Sequence, residues 1–276
     1  MRILDAISVL GDAGWISSKS LSIEVRRGAG AYIAGEETAL FNSLEGYRPE
    51  PRVKPPYPTA QGLFHKPTLI QNVETLANVA VLFAHDVEWF RTVGTETTPG
   101  TKLVTLSGHM ANPGVYEVPF GIELAPLIND RQYGGGMGTG RPIKAVLMGG
   151  AAGTFLTPEE IGQARLDYPD LAKFGASVGS GAIMLFDQET DLARVLTGLA
   201  RFFADESCGQ CVPCRIGTKR ILEILADQRL WERRSDLKDL ARAMTDASIC
   251  GLGQTAANAL MSAMRRPSLW DRFSTG

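Results

Sequence analysis

The chain has 276 residues, 44% of them hydrophobic and 21% charged, with 28 Lys and Arg against 30 Asp and Glu for a net charge of −2. That length accommodates two or three compact domains, and the composition is that of a soluble globular protein. The near-neutral balance makes no global case for nucleic-acid binding, and no apolar run approaches the roughly 18 residues that a membrane span requires.

From Met1 to about Val93, helical patches alternate with Gly- and Pro-rich loops. The opening MRILDAISVLGDAG is interrupted by polar residues and has no secretory pattern, which places the expected site of action in the cytoplasm or an organelle matrix. The alternation Ser22-Ile23-Glu24-Val25 reads as a strand, followed by Arg26-Arg27-Gly28-Ala29-Gly30. Gly35-Glu36-Glu37-Thr38-Ala39-Leu40 predicts a helix start, with acids in the first turn where the helix dipole favours them. Arg48 to Pro58 reads as a proline-rich extended segment and Gln71 to Ala84 as a helix, its apolar stretch Val79 to Ala84 a short core segment.

From about Lys102 to Asp187 the texture is strand-rich. Lys102–Ser107 and Gly114–Val118 are two expected strands joined through the Asn112-Pro113-Gly114 turn. Ile143–Met148 and Ala182–Phe186 add two more, with Gly134–Gly138 between them as a flexible loop. A small mixed β domain fits this pattern.

The remainder is helical. Leu192, Val195, Leu196, Leu199, Phe202 and Phe203 recur at helical spacing and make one apolar stripe. Ile221, Leu222 and Leu225 mark a second helix, Leu237, Leu240, Ala241 and Met244 a third, and Leu260, Met261 and Met264 a fourth. Four such helices joined by short links make a small bundle.

All four cysteines lie in this helical part, as Cys208-x2-Cys211-x2-Cys214 and then Cys250. A tight trio of thiolates with a distant fourth is iron–sulfur spacing, and the reading is a [4Fe–4S] cluster. A structural zinc is the first alternative, although zinc sites usually pair two C-x2–4-C knuckles and the second is missing. Two disulfides are another, at the cost of strained local loops. Pro213, inside the trio, argues for an open loop there rather than a helical turn. The expected helices bring the trio and Cys250 to one end of the bundle.

Four stretches together carry a resemblance: Arg27 to Leu40 (RGAGAYIAGEETAL), Lys54-Pro55-Pro56, Asn72 to Leu76 (NVETL) and Glu206 to Arg215 (ESCGQCVPCR). Over nearly its whole length the chain resembles the flavin subunit of NADH dehydrogenases. This is the 51 kDa subunit family of respiratory complex I, shared with the diaphorase subunits of NAD-linked formate dehydrogenases and hydrogenases. The resemblance implies an α+β multidomain fold. Residues 1–98 would be the C-terminal part of an FMN- and NADH-binding domain, 99–188 a ubiquitin-like β-grasp domain, and 189–276 a helical bundle holding one [4Fe–4S] cluster.

It also implies that NADH gives a hydride to FMN, which passes single electrons to the cluster; a flavin splits a two-electron donor into one-electron steps. Cluster ligands would be Cys208, Cys211, Cys214 and Cys250. Tyr32, Gly35, Glu36 and Glu37 match the FMN and NADH loop, with Glu37 at the nicotinamide side as the catalytic candidate. Ile70, Gln71, Asn72 and Thr75 match a second flavin-contacting stretch, and Lys54 and Tyr57 an NADH contact. Asn72 and Thr75 have the alternative role of capping the next helix, and Glu37 that of a plain helix-start acid. His65, His85 and His109 are isolated, hence structural or surface residues. Expected partners are a thioredoxin-like [2Fe–2S] subunit and a larger iron–sulfur subunit, assembled in the cytoplasm or on the cytoplasmic face of a membrane.

Two departures from the family pattern stand out. Ala34 occupies a position where the family has Cys, and the upstream glycine-rich flavin loop of the family is expected to be missing ahead of Met1. A flavin-less electron wire, or a structural subunit that retains only the cluster, is the alternative reading. Leu40 to Tyr47 and Gly149 to Gly153 lean toward a formate-dehydrogenase-type diaphorase.

Overall fold

A computed structural model describes residues 2–16, 21–28 and 30–270, and the chain divides into two compact units, Met1–Thr68 and Leu69–Gly276.

The first unit contains two helices, α1 (Arg2–Asp12) and α2 (Glu37–Leu44), the second preceded by a 3-10 turn at Tyr32–Gly35. The expected strand at Ser22–Val25 does not form. Alternation alone makes no strand without a neighbouring ladder to pair its backbone, and Leu21, Ile23 and Val25 stay exposed. Ala29 lies outside the described residues. The small core of this unit is Ile33, Ala39 and Phe41. Of the extended segment expected from Arg48 to Pro58, the part up to Val53 forms and is tied back to α2 by Arg52. Its guanidinium donates to Asn42 Oδ1 at 2.8 Å and Glu45 Oε2 at 2.6 Å and lies over the Phe41 ring. The chain then bends at Lys54–Pro56, where both X-Pro bonds are cis, and turns at Pro58.

The second unit begins with α3 (Val73–Ala84) and α4 (Val87–Arg91), both mostly exposed. The stretch Val79 to Ala84, expected in a core, leaves Val79, Val81 and Phe83 exposed. What anchors α3 is polar. Glu74 pairs with Lys102 and accepts from the Leu103 amide at 2.9 Å, which joins the helix to the sheet.

The sheet comprises β1 (Thr101–Gly108), β2 (Gly114–Pro119), β3 (Ile143–Met148), β4 (Thr154–Leu156) and β5 (Ala182–Asp187), in the order β2-β1-β5-β3-β4. β1 and β5 are parallel, and the other pairings are antiparallel. Four of these strands were legible as alternating or β-branched runs; β4 is too short for any periodicity. The helices α5 (Leu124–Asn129), α6 (Pro158–Gln163) and α7 (Tyr168–Ala172) were also missed, each being under two turns. The glycine run at Gly134–Gly138 is not loose: the Ala111, Asn112 and Gly138 amides donate to Gly136, Gly134 and His109 carbonyls at 2.8–2.9 Å.

Strand β3 is buried on both faces. Val146 and Met148 join Leu106, Leu127, Leu156 and Leu185 in one core with α5 to α7. Ala145 and Leu147 face the other way, with Phe155 and Phe186, into a second core shared with the C-terminal helices. Those helices are α8 (Leu192–Glu206), α9 (Val212–Ala226), α10 (Arg234–Ala247), α11 (Gly251–Thr255) and α12 (Asn258–Met264). Leu192, Leu196 and Phe203 of the predicted stripe on α8 are buried, and Ala200, outside that prediction, is buried with them. Ser262 of α12 accepts from the Phe155 amide at 2.9 Å, satisfying a buried edge of β4.

Candidate functional site

The cysteine trio lies between α8 and α9. α8 ends at Glu206; Ser207 and Cys208 begin a short connection that turns at Gly209, which has a φ of 80°, a conformation a side chain would strain. α9 then starts at once, with Cys211 as its N-cap and Pro213 in its first turn. The open loop expected around Pro213 is therefore helix: first-turn amides have no intrahelical acceptor, so a proline there loses nothing. Cys214 is buried at 5% exposure, while Cys208 and Cys211 are half-buried.

The fourth cysteine arrives from the other side. α10 ends at Ala247, Ser248 is extended, the chain bends at Ile249, and Cys250 is the N-cap of α11. Gly253 brings α11 against α9. A Cβ on Gly253 would stand 2.8 Å from Cys214 Cβ and 2.6 Å from Ser248 Cβ, with the Ser248 hydroxyl closer still. No residue with a side chain fits there without displacing one of them. No disulfide joins any of the four cysteines.

The surroundings of the thiols are set by burial and by two serines. Burial pushes the Cys214 thiol up to about 11; the Ser207 hydroxyl opposes this, and the sulfurs of Cys211, Cys250 and Cys208 add to it. Ser207 Oγ lies 3.3 Å from Cys214 Sγ and accepts from the Gly209 amide at 3.3 Å. Arg215 donates to the Gly209 carbonyl at 2.5 Å, closing the loop. A group that replaces four thiol protons by metal removes the reason for the raised pKa, because ligation requires thiolates. The N-terminus of the fifteen-residue α9 adds favourable positive potential at Cys211 and Cys214.

Among the described residues, no three His, Cys, Asp or Glu side chains gather as one metal ion would require. A single zinc draws its thiolates to about 2.3 Å of one point, whereas a four-iron cluster places each thiolate on a different iron. The donor set, four cysteines with three of them in a C-x2-C-x2-C run, fits the cluster. Ser248 fits it as well: its hydroxyl is the one buried side-chain polar atom among the described residues with no hydrogen-bond partner. Ser207, Ser248 and Gly253 were not read from the sequence, although each sits within three residues of a cysteine.

The other candidates fall in both units. In the first, Tyr32 is about half exposed within the 3-10 turn, and no atom lies within 4 Å of where a Gly35 Cβ would stand. Glu36 is the N-cap of α2, accepting from the Thr38 and Ala39 amides, each at 2.9 Å. Glu37 opens the helix and pairs with Lys54, which also reaches Glu36 at 3.4 Å. Partial burial works to lower the Lys54 pKa, but the bond to Glu37 and the charge of Glu36 outweigh it and hold it above the ordinary lysine value. Tyr57 is 61% exposed. In the second unit Asn72 caps α3 through a 2.8 Å bond from the Glu74 amide, the alternative role foreseen for it. Gln71 and Thr75 are exposed and Ile70 is half-buried. His65 bonds Gln61, His85 stacks on Trp89, and His109 accepts from the Asp187 amide.

Residues 194–267 match the NADH-ubiquinone oxidoreductase-F iron-sulfur binding region, and residues 2–81 match the Nuo51 FMN-binding domain. The chain is 41% identical to NADP-reducing hydrogenase subunit HndC of Solidesulfovibrio fructosivorans, over 93% of this chain and 52% of that protein. It is 40% identical to an NADH-quinone oxidoreductase subunit from Streptomyces coelicolor, over 94% of this chain and 58% of that one. Among solved structures, an NAD+-reducing [NiFe]-hydrogenase in the H2-reduced state aligns with a TM-score of 0.86 at 34% identity, covering 100% of this chain and 48% of that one. The chain thus spans about half the length of the curated relatives it matches. On these matches the chain belongs to the flavin-subunit family of NADH dehydrogenases and hydrogenase diaphorases.

Proposed function

We propose that this chain is the electron-exit portion of an NADH-oxidising diaphorase subunit, holding one [4Fe–4S] cluster on Cys208, Cys211, Cys214 and Cys250. The observation that carries this reading is the meeting of α9 and α11 at Gly253, which sets Cys214 beside the segment that bears Cys250. When bound, FMN would accept a hydride from NADH and release single electrons, and the cluster would take them one at a time.

The chain's own residues have separable tasks in this reading. The open backbone at Gly35 lets a flat ring or phosphate approach, with Tyr32 and Tyr57 offering exposed ring faces. Glu37 stands at the nicotinamide side, and its pairing with Lys54 holds its carboxylate in place. Glu36 positions the loop by capping α2. Ile70, Gln71, Asn72 and Thr75 supply the second flavin contact, with Asn72 also fixing the start of α3. Residues 1–98 form the C-terminal part of the flavin and NADH domain, 99–188 the β-grasp domain and 189–276 the cluster domain. The strand order with parallel β1 and β5 at the centre supports the β-grasp assignment. A thioredoxin-like [2Fe–2S] subunit and a larger iron–sulfur subunit would receive the electrons. Among the described residues no helix is long and apolar enough to cross a membrane.

Cys250→Ser tests the ligand assignment. The variant should lose the cluster or convert it to a form with fewer irons, while circular dichroism shows the sheet intact. Unchanged iron content together with an unchanged EPR spectrum would remove Cys250 from the ligand set.

A further inference from the structure

We infer that Ser248 is a positioning residue for the cluster, its hydroxyl donating to a cluster sulfur and so raising the reduction potential. The inference rests on the cluster reading above and assigns a role to a residue outside the ligand set. Ser248 is 7% exposed, and its Oγ has no hydrogen-bond partner among the described residues. Its backbone is fully used: the amide donates to Met244 O at 3.1 Å, and the carbonyl accepts from Gln254 Nε2 at 3.0 Å. The segment is therefore held in place, and the hydroxyl alone is left over.

Where the hydroxyl sits gives it a ligand. Ser248 and Cys214 crowd the same point beside Gly253, and Ser248 precedes Cys250 by two residues. A buried hydroxyl is retained only where something accepts its proton, and the sulfurs of an anionic cluster are the acceptors this neighbourhood would offer. One-electron reduction adds negative charge to those sulfurs, so a hydrogen bond to them is stronger in the reduced state. The bond therefore stabilises the reduced form and raises the potential. Ser207, at 3.3 Å from Cys214 Sγ, has the Gly209 amide as a second partner. Ser248 has no such alternative, which is why the effect is assigned to it.

The test uses the chain purified anaerobically, with dithionite-mediated potentiometric EPR titration of wild type, Ser248→Ala and Ser248→Thr. Ser248→Ala should keep its iron and titrate at lower potential by at least tenfold in the reduction equilibrium, about 59 mV for a one-electron couple. Ser248→Thr, which keeps the hydroxyl, should stay close to wild type. An iron-replete Ser248→Ala with the wild-type potential overturns this inference alone. A wild-type protein without cluster iron overturns the cluster reading and this inference together. Should Ser248→Ala fail to hold a cluster, ENDOR of the reduced Ser207→Ala protein decides. An exchangeable proton coupled to the cluster is expected there, and its absence overturns the proposal.

Discussion

At the residue scale, the site depends on a position that has no side chain. Gly253 lets α11 close on α9, and a methyl group there would meet Ser248 and Cys214 at backbone-proximal atoms that cannot swing away. Gly253→Ala is therefore expected to cost about 1–3 kcal/mol by overpacking and to lower cluster occupancy. Thermal unfolding and iron per chain check both halves, and a variant with wild-type iron and melting temperature would show that the helices separate at no cost. The cysteines themselves were legible because a C-x2-C-x2-C run has few other chemical uses. Ser248 and Gly253 were not, because their importance lies in a contact between segments that no spacing encodes. Pro213 misled for a related reason: the same ring that breaks a helix interior is accepted in its first turn, and only the position of the N-cap tells the two apart.

At the element scale, a buried carboxylate reinforces the junction between the sheet and the bundle. Asp187 ends β5 and is 2% exposed, accepting from Thr190 Oγ1 at 3.0 Å and Arg141 Nη1 at 3.3 Å just ahead of α8. Burial alone would raise its pKa, but the bonds from Thr190 and Arg141 prevail and hold it below the ordinary carboxylate value. Because the folded pKa is depressed, its stabilisation is complete above the unfolded value of about 3.9 and fades as pH falls through the folded one. Asp187→Asn should cost about 1.5–3 kcal/mol near pH 7, with the difference from wild type shrinking below about pH 4. Urea unfolding at a series of pH values measures this, and a gap independent of pH would mean that the charge is not what matters. Long helices such as α8 and the four longer strands were readable from periodicity. The strand at Ser22–Val25 failed the other way, having a strand's pattern and no ladder to join.

At the scale of the whole molecule, the second unit is one fabric in which β3, buried on both faces, shares one core with α5 to α7 and another with the C-terminal helices. Phe155 and Ser262 extend that continuity to β4 and α12. The C-terminal helices are thus built on the sheet rather than tethered to it, which fixes the end of the bundle that carries the cysteines. This sharing was not visible in the sequence, where the change from strands to helices near Asp187 reads as a boundary. What the four cysteines bind decides the function of the whole chain. Metal and acid-labile sulfide analysis of the anaerobically purified chain, with EPR after reduction, tests the cluster assignment directly. The expected result is about four irons and four sulfides per chain with a reducible paramagnetic signal. One zinc per chain with no labile sulfide would contradict it.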